Sequence, residues 1–169
     1  MAAIQLSQPN VAEGEARIIA EALQEQAAEH DFDPLTGVSI IFHESSFDSS
    51  AVSENGEDYG LAQIRARYLD ACRSDRSPVT NPSAACRRFK KRLLDPSFNV
   101  KMMAQLITQN RQYCRQKTGS AVFHRWLASY QGRNNPRKKR YCVPGKGTWR
   151  VIEYRQTLIR QLRRRGFRL

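Results

Sequence analysis

Apolar residues recur at helical spacing along almost the whole of this chain, and that periodicity most limits the folds open to it. Between residues 11 and 30, Val11, Ala12, Ile18, Ile19, Ala22 and Leu23 set an apolar pattern with acids on the other faces. Two further helices open on aspartate followed by proline. The aspartate accepts from a free N–H of the first turn, and proline there lacks an N–H that would go unbonded anyway. Asp33 and Pro34 lead into Val38, Ile40, Ile41 and Phe42; Asp95 and Pro96 lead into Val100, Met103, Leu106 and Ile107. After Gly119, Ala121, Val122, Trp126, Leu127 and Tyr130 define the next helix, and residues 149–165 a basic amphipathic one. Residues 60–69 predict a short helix, while 73–85 and 132–147 carry the Ser, Pro, Asn, Arg and Lys of loops. Strand signals are weak, so the expected fold is all-α with at most a small β-hairpin after residue 44. A chain of 169 residues with no repeat and no linker reads as one unit over residues 33–169. Residues 1–32 read as an N-terminal helix packed on its core.

The stretch from residue 40 to 64 carries the chemistry. An apolar run ends in a lone carboxylate, Glu44, and a Ser- and Asp-rich loop then leads to Gly60-Leu61-Ala62-Gln63-Ile64. A carboxyl group desolvated by apolar neighbours keeps its proton to higher pH and can hand it to a leaving oxygen.

Charge is divided along the chain. Residues 1–64 carry a net −11 and residues 65–169 a net +23, giving +12 in all. The basic part favours an anionic partner, whether nucleic acid, a membrane surface or an acidic wall polymer. Runs at residues 137–140 and 163–165 are the densest. No apolar stretch approaches the roughly 20 residues of a membrane helix, and no signal peptide is visible. The four cysteines, Cys72, Cys86, Cys114 and Cys142, include no Cys-x-x-Cys pair, which argues against structural zinc. An even count permits two disulfides in three connectivities, of which Cys72–Cys86 with Cys114–Cys142 is favoured, and four reduced thiols are the alternative. Disulfides imply a periplasmic or extracellular setting.

Glu44, Ser45, Phe47, Asp48, Ala51 and Ser53, followed by Gly60, Leu61, Gln63 and Ile64, resemble two motifs of the lysozyme-like soluble lytic transglycosylases. Asp95, Pro96 and Asn99 resemble a third, residues 127–132 (LASYQG) a fourth, and Val143-Pro144 with Tyr154 a fifth, all in order over residues 33–165. The resemblance implies a lysozyme-like fold, no metal or cofactor, and cleavage of the MurNAc–GlcNAc β-1,4 bond of peptidoglycan to 1,6-anhydro products. Glu44 is then the acid/base, Ser45, Ser46, Ser53, Gln63, Tyr130 and Gln131 bind sugar or brace the loop, and Tyr154 points its hydroxyl at Glu44. The partners implied are glycan strands and, through the basic part, an anionic wall or membrane surface, for a monomer in the cell envelope.

Three departures stand out: Ala62 replaces the usual methionine, Gln131 replaces asparagine after Tyr130, and the loop before Gly60 is one residue longer and acidic. Goose-type lysozymes, relatives on the same fold, place extra carboxylates there to activate water. Glu57 or Asp58 would thus turn the chain into a hydrolytic muramidase. A non-enzymatic basic module binding nucleic acid or wall polymer through residues 133–168 is the reading from another class. His43 adjoins Glu44, but adjacent helix residues point about 100° apart, which favours a surface or packing role. Ser45 and Ser46 lack the G-x-S-x-G turn of a nucleophile. Trp126 is expected in the core and Tyr130 at the edge of the cleft.

Overall fold

Both aspartate–proline steps start helices, and those two helices organise the molecule. The structure is a computed structural model describing residues 1–168, with Asp70 described in its backbone only; Leu169, the last residue of the expected unit, lies outside the described residues. The Leu35 N–H donates to Asp33 Oδ1 at 3.0 Å ahead of α3 (Pro34–Ser45). The Phe98 N–H donates to Asp95 Oδ1 at 2.8 Å ahead of α5 (Pro96–Thr118). Gly119 then stops α5 at φ 70°, a left-handed conformation open to a residue without Cβ. With α1 (Ala2–Ser7), α2 (Glu13–Glu29), α4 (Ala84–Arg92), α6 (Phe123–Tyr130) and α7 (Lys146–Arg164), the described residues hold seven α-helices.

The packing follows the apolar stripes. α2 lies chiefly against α5, α3 against α7, and α6 against α5. Ile19, Leu23, Ile40, Ile41, Met103, Ile107, Leu127 and Leu158 meet in one cluster and are almost fully buried. Each such side chain gains about 1.5–3 kcal/mol on leaving water. Trp126 joins them at 3% exposure, as its place on the stripe of α6 requires. Asp33 serves twice: while Oδ1 caps α3, Oδ2 accepts from Arg155 Nε of α7 at 2.8 Å, with a second guanidinium nitrogen alongside.

The one small sheet among the described residues is antiparallel, β1 (Asp58–Tyr59) with β2 (Ile64–Arg65), Asp58 opposite Arg65 and Tyr59 opposite Ile64. This corrects the short helix expected over residues 60–69. Gly60 and Gln63 both take positive φ, 70° and 45°, which no helix sustains, and only Ala66–Tyr68 winds into a 3-10 turn. Two helices escaped the periodicity: α1 spans only six residues, and α4 is mostly Arg and Lys, burying Cys86, Phe89 and Lys90 alone. Ser83 starts α4, its Oγ accepting from the Cys86 N–H at 3.1 Å.

The disulfides pair as expected, Cys72–Cys86 and Cys114–Cys142. The first closes the loop between the 3-10 turns and α4, where the Lys90 amine also donates to the Pro78 carbonyl at 2.6 Å. The second ties α5 to the basic loop before α7. Closing loops of this size stabilises by about 3 kcal/mol each. Reduction of both is therefore expected to lower Tm by roughly 15 °C, read by thermal unfolding with and without reductant. Coincident curves would show the bonds to be dispensable.

Candidate active site

At the end of α3 the chain turns left-handed twice, at Ser46 (φ 53°) and Phe47 (φ 68°). The Phe47 ring is buried beneath the turn, and the Ser46 N–H still donates to the Phe42 carbonyl at 3.1 Å. Glu44 is thereby held one residue before the helix end, in the wall of an open cleft of about 440 Å³.

The facing wall is built on Asn99, a fully buried side chain of α5. Its Oδ1 accepts from the Ala62 N–H at 2.8 Å, while its Nδ2 donates to the carbonyls of Tyr59 at 2.9 Å and Leu93 at 2.6 Å. Gly60 passes so close that a Cβ there would sit 2.3 Å from the Leu93 carbonyl oxygen and 2.4 Å from Asn99 Nδ2. Gly60 and Asn99, almost forty residues apart, form one contact. It presents Ala62, Gln63 and Ile64 to the cleft, and the Gln63 amide ties the loop further by donating to Gly60 and Ala51 carbonyls at 3.0 and 3.2 Å.

Burial pushes the Glu44 carboxyl up to about 7, and the negative charge of Asp58 adds to the rise. Among the described residues no hydrogen bond or ion pair stabilises its ionised form. Tyr130, last in α6, turns its hydroxyl to the Ala62 carbonyl at 3.4 Å and lines the same cleft. Burial first, and the Glu44 charge second, hold that hydroxyl well above its ordinary value. A protonated carboxyl and a neutral phenol facing one space can donate, accept and pass a proton.

The other expected residues divide. Gln131 lines the cleft with its Oε1 accepting from the buried Thr148 hydroxyl at 2.8 Å. Asp58 lines it too, with both oxygens accepting from Arg65 at 2.8 Å. Glu57 lies outside the lining, its carboxylate paired with Arg67 at 2.6 Å. Ser45 and Ser46 donate back to the Ile41 and Phe42 carbonyls at 3.4 Å, and Ser53 accepts from the N–H groups of Glu57 and Asp58 at 3.2 and 2.9 Å. All three serines brace backbone and stand outside the cleft lining.

Tyr154 is not brought to Glu44. Its ring stacks on Phe42 with centroids 4.2 Å apart, beside His43, and its hydroxyl meets the Ser7 side chain. Phe42 and Glu44 are two residues apart on a helix and so point about 200° apart. A residue stacked on the first lies behind the second. The phenol that shares the cleft with Glu44 is Tyr130.

Sequence reading did not single out Arg65, Tyr68, Asn110 or Arg133, which also line the cleft, nor the role of Asn99. A signal existed for Asn99, a polar residue in register with the apolar stripe of Met103 and Leu106. Another existed for Arg65, since two acids precede Gly60-Leu61-Ala62-Gln63-Ile64 and two arginines, Arg65 and Arg67, follow it.

No curated protein and no solved structure matches the chain. A family model does, the transglycosylase SLT domain, over residues 21–149, from within α2 to the start of α7. The match takes in Glu44, the hairpin, Asn99 and Tyr130 and stops short of Tyr154. Spanning most of its length and the whole of this cleft, it shows that the chain belongs to the transglycosylase SLT domain family, the lysozyme-like lytic transglycosylases of peptidoglycan.

Proposed function

We propose that this protein cleaves the MurNAc–GlcNAc β-1,4 bond with Glu44 as its single acid/base and releases 1,6-anhydro products. The observation that carries the reading is the contrast among carboxylates. Glu44 is desolvated, unpaired and raised to about 7, whereas Asp58 and Glu57 are held in ion pairs with Arg65 and Arg67. A protonated Glu44 gives its proton to the bridging oxygen as the bond to the MurNAc anomeric carbon breaks. The 6-hydroxyl of the same MurNAc then attacks that carbon, and its proton returns to Glu44. No water enters the products. Gln63, Tyr130 and Gln131 supply polar edges along the glycan, and Tyr130 in place of Tyr154 is the phenol beside the acid. Ser45, Ser46 and Ser53 shape the loop.

The setting fits an exported monomer acting without metal or cofactor. Its substrate and its two disulfides both belong outside the cytoplasm, and the net +23 of residues 65–169 would concentrate it on anionic wall or membrane surfaces. One observation favours the hydrolytic alternative: Asp58 shares the cleft and its charge reaches Glu44. Mass spectrometry of muropeptides released from purified peptidoglycan separates the two. Anhydro ends are expected; reducing ends would make the protein a muramidase, and no soluble product would remove the enzymatic reading.

A further inference from the structure

Three features of the hairpin converge on one residue. Its register sets Asp58 and Arg65 directly opposite each other, so their side chains leave the same face of the two strands, toward the cleft both of them line. The guanidinium then meets the carboxylate as a fork, Nε to Oδ1 and a terminal nitrogen to Oδ2, each at 2.8 Å. The same Arg65 Nε lies 3.7 Å from Glu57, whose other oxygen Arg67 holds at 2.6 Å. Backbone geometry fixes the carboxylates as firmly, since one hydroxyl, Ser53 Oγ, accepts from the N–H groups of both residues.

We propose that Arg65 is the positioning residue that sets the fate of the cleaved sugar: by occupying both oxygens of Asp58 it keeps that carboxylate from activating water, so that the 6-hydroxyl of MurNAc captures the anomeric carbon. The proposal rests on Glu44 acting as the acid. Hydrolysis in this cleft requires a water whose oxygen bonds to the anomeric carbon while its proton passes to a carboxylate. Glu44 has just given its proton to the leaving oxygen and is the base available in the wild type, and it serves the 6-hydroxyl equally well. A second base on the cleft wall would favour water, and Asp58 is the other carboxylate lining the cleft among the described residues. A planar guanidinium that never deprotonates is the side chain best suited to neutralise it and to fix both its oxygens. Lysine would supply the charge without the fork. The Arg65 side chain is 46% exposed and that of Asp58 16%, so replacing Arg65 leaves a cleft-facing, partly solvated carboxylate and not a fully buried orphan charge.

The test compares end groups of muropeptides from the full-length wild type, Arg65→Gln, Arg65→Lys, Arg65→Gln/Asp58→Asn and Arg67→Gln. Arg65→Gln is expected to raise the proportion of reducing ends to anhydro ends roughly tenfold, a modest part of the hundredfold or more that a positioned base supplies. Arg65→Lys should fall between. The double variant should return to the wild-type ratio because the freed base is gone, and Arg67→Gln, which releases only Glu57 outside the cleft, should not depart from it. An unchanged ratio in Arg65→Gln, or a raised ratio that survives in the double variant, would overturn the proposal. End-group ratios are independent of how much folded enzyme is present, so partial misfolding of one variant does not mask the result. Reducing ends as the main wild-type product would instead defeat the anhydro reading itself, before any variant is compared.

Discussion

Glu44→Gln is expected to cut peptidoglycan cleavage by about 10²- to 10⁴-fold, the range lost when a positioned acid is removed, while making the folded chain more stable at alkaline pH. The two effects have one cause. An unfolded chain ionises this carboxyl near its ordinary 4.5, whereas burial lifts it to about 7 in the folded state. The folded state therefore binds the extra proton between those values. Its stabilising share is complete below pH 4.5 and lost as pH rises through 7, a difference of about 3 kcal/mol on the usual 1.36 kcal/mol per unit. Glutamine carries no such loss. The variant should melt above the wild type at pH 8 and alongside it at pH 4, which thermal unfolding at the two values reads directly. In the wild type, kcat/KM should fall about tenfold per unit above pH 7 as the acid form is titrated away. Cleavage retained within tenfold in the glutamine variant would dismiss Glu44 as the acid. Melting curves that stay together at pH 8 would show its carboxyl to be well solvated.

Asn99→Leu should be the most damaging change away from the acid. Leucine shares the branching of asparagine but is bulkier and makes none of its three hydrogen bonds, leaving the Ala62 N–H and the Tyr59 and Leu93 carbonyls without the partner they have. Each buried orphan costs about 1–3 kcal/mol, and the sum, roughly 3–9 kcal/mol, is a large part of the 5–15 kcal/mol that holds a domain together. Urea unfolding should show the midpoint drop with little change in slope. Activity should fall further than the loss of folded protein explains, because the wall carrying Gln63 hangs on this side chain. A variant that unfolds with the wild type would mean that water replaces Asn99.

Helices α3 and α5 were legible because their caps are local. Asp33, Pro34, Asp95, Pro96 and Gly119 act within one turn of themselves, so spacing alone reveals them. Residues 60–69 were not, because Gly60 packs at positive φ against Asn99, a partner far along the chain. Glu44 was legible from its place at the end of an apolar run, and Gln63, Tyr130 and Gln131 from motifs whose order survives. Tyr154 misled because a tyrosine at the motif's position says nothing of which side of α3 its helix packs on, and α7 packs behind Phe42. Of the two roles open to the serines, bracing the loop is the one their hydrogen bonds show. Hydroxyls beside an acid invite a sugar, yet short polar side chains satisfy nearby backbone first, as Ser45, Ser46 and Ser53 do.

Asp33 has a mechanical consequence for the residue at the other end of its helix. One oxygen begins α3 and the other grips Arg155 of α7, so the helix is anchored where it starts and locked by the left-handed turn where it stops. Glu44 thus rides on a fixed jaw. The opposing jaw includes Gln131, Gly132 and Arg133, irregular backbone leading into a basic loop moored by the bond from Cys114 to Cys142. A glycan strand has to come into register with the acid, whose helix is held at both ends.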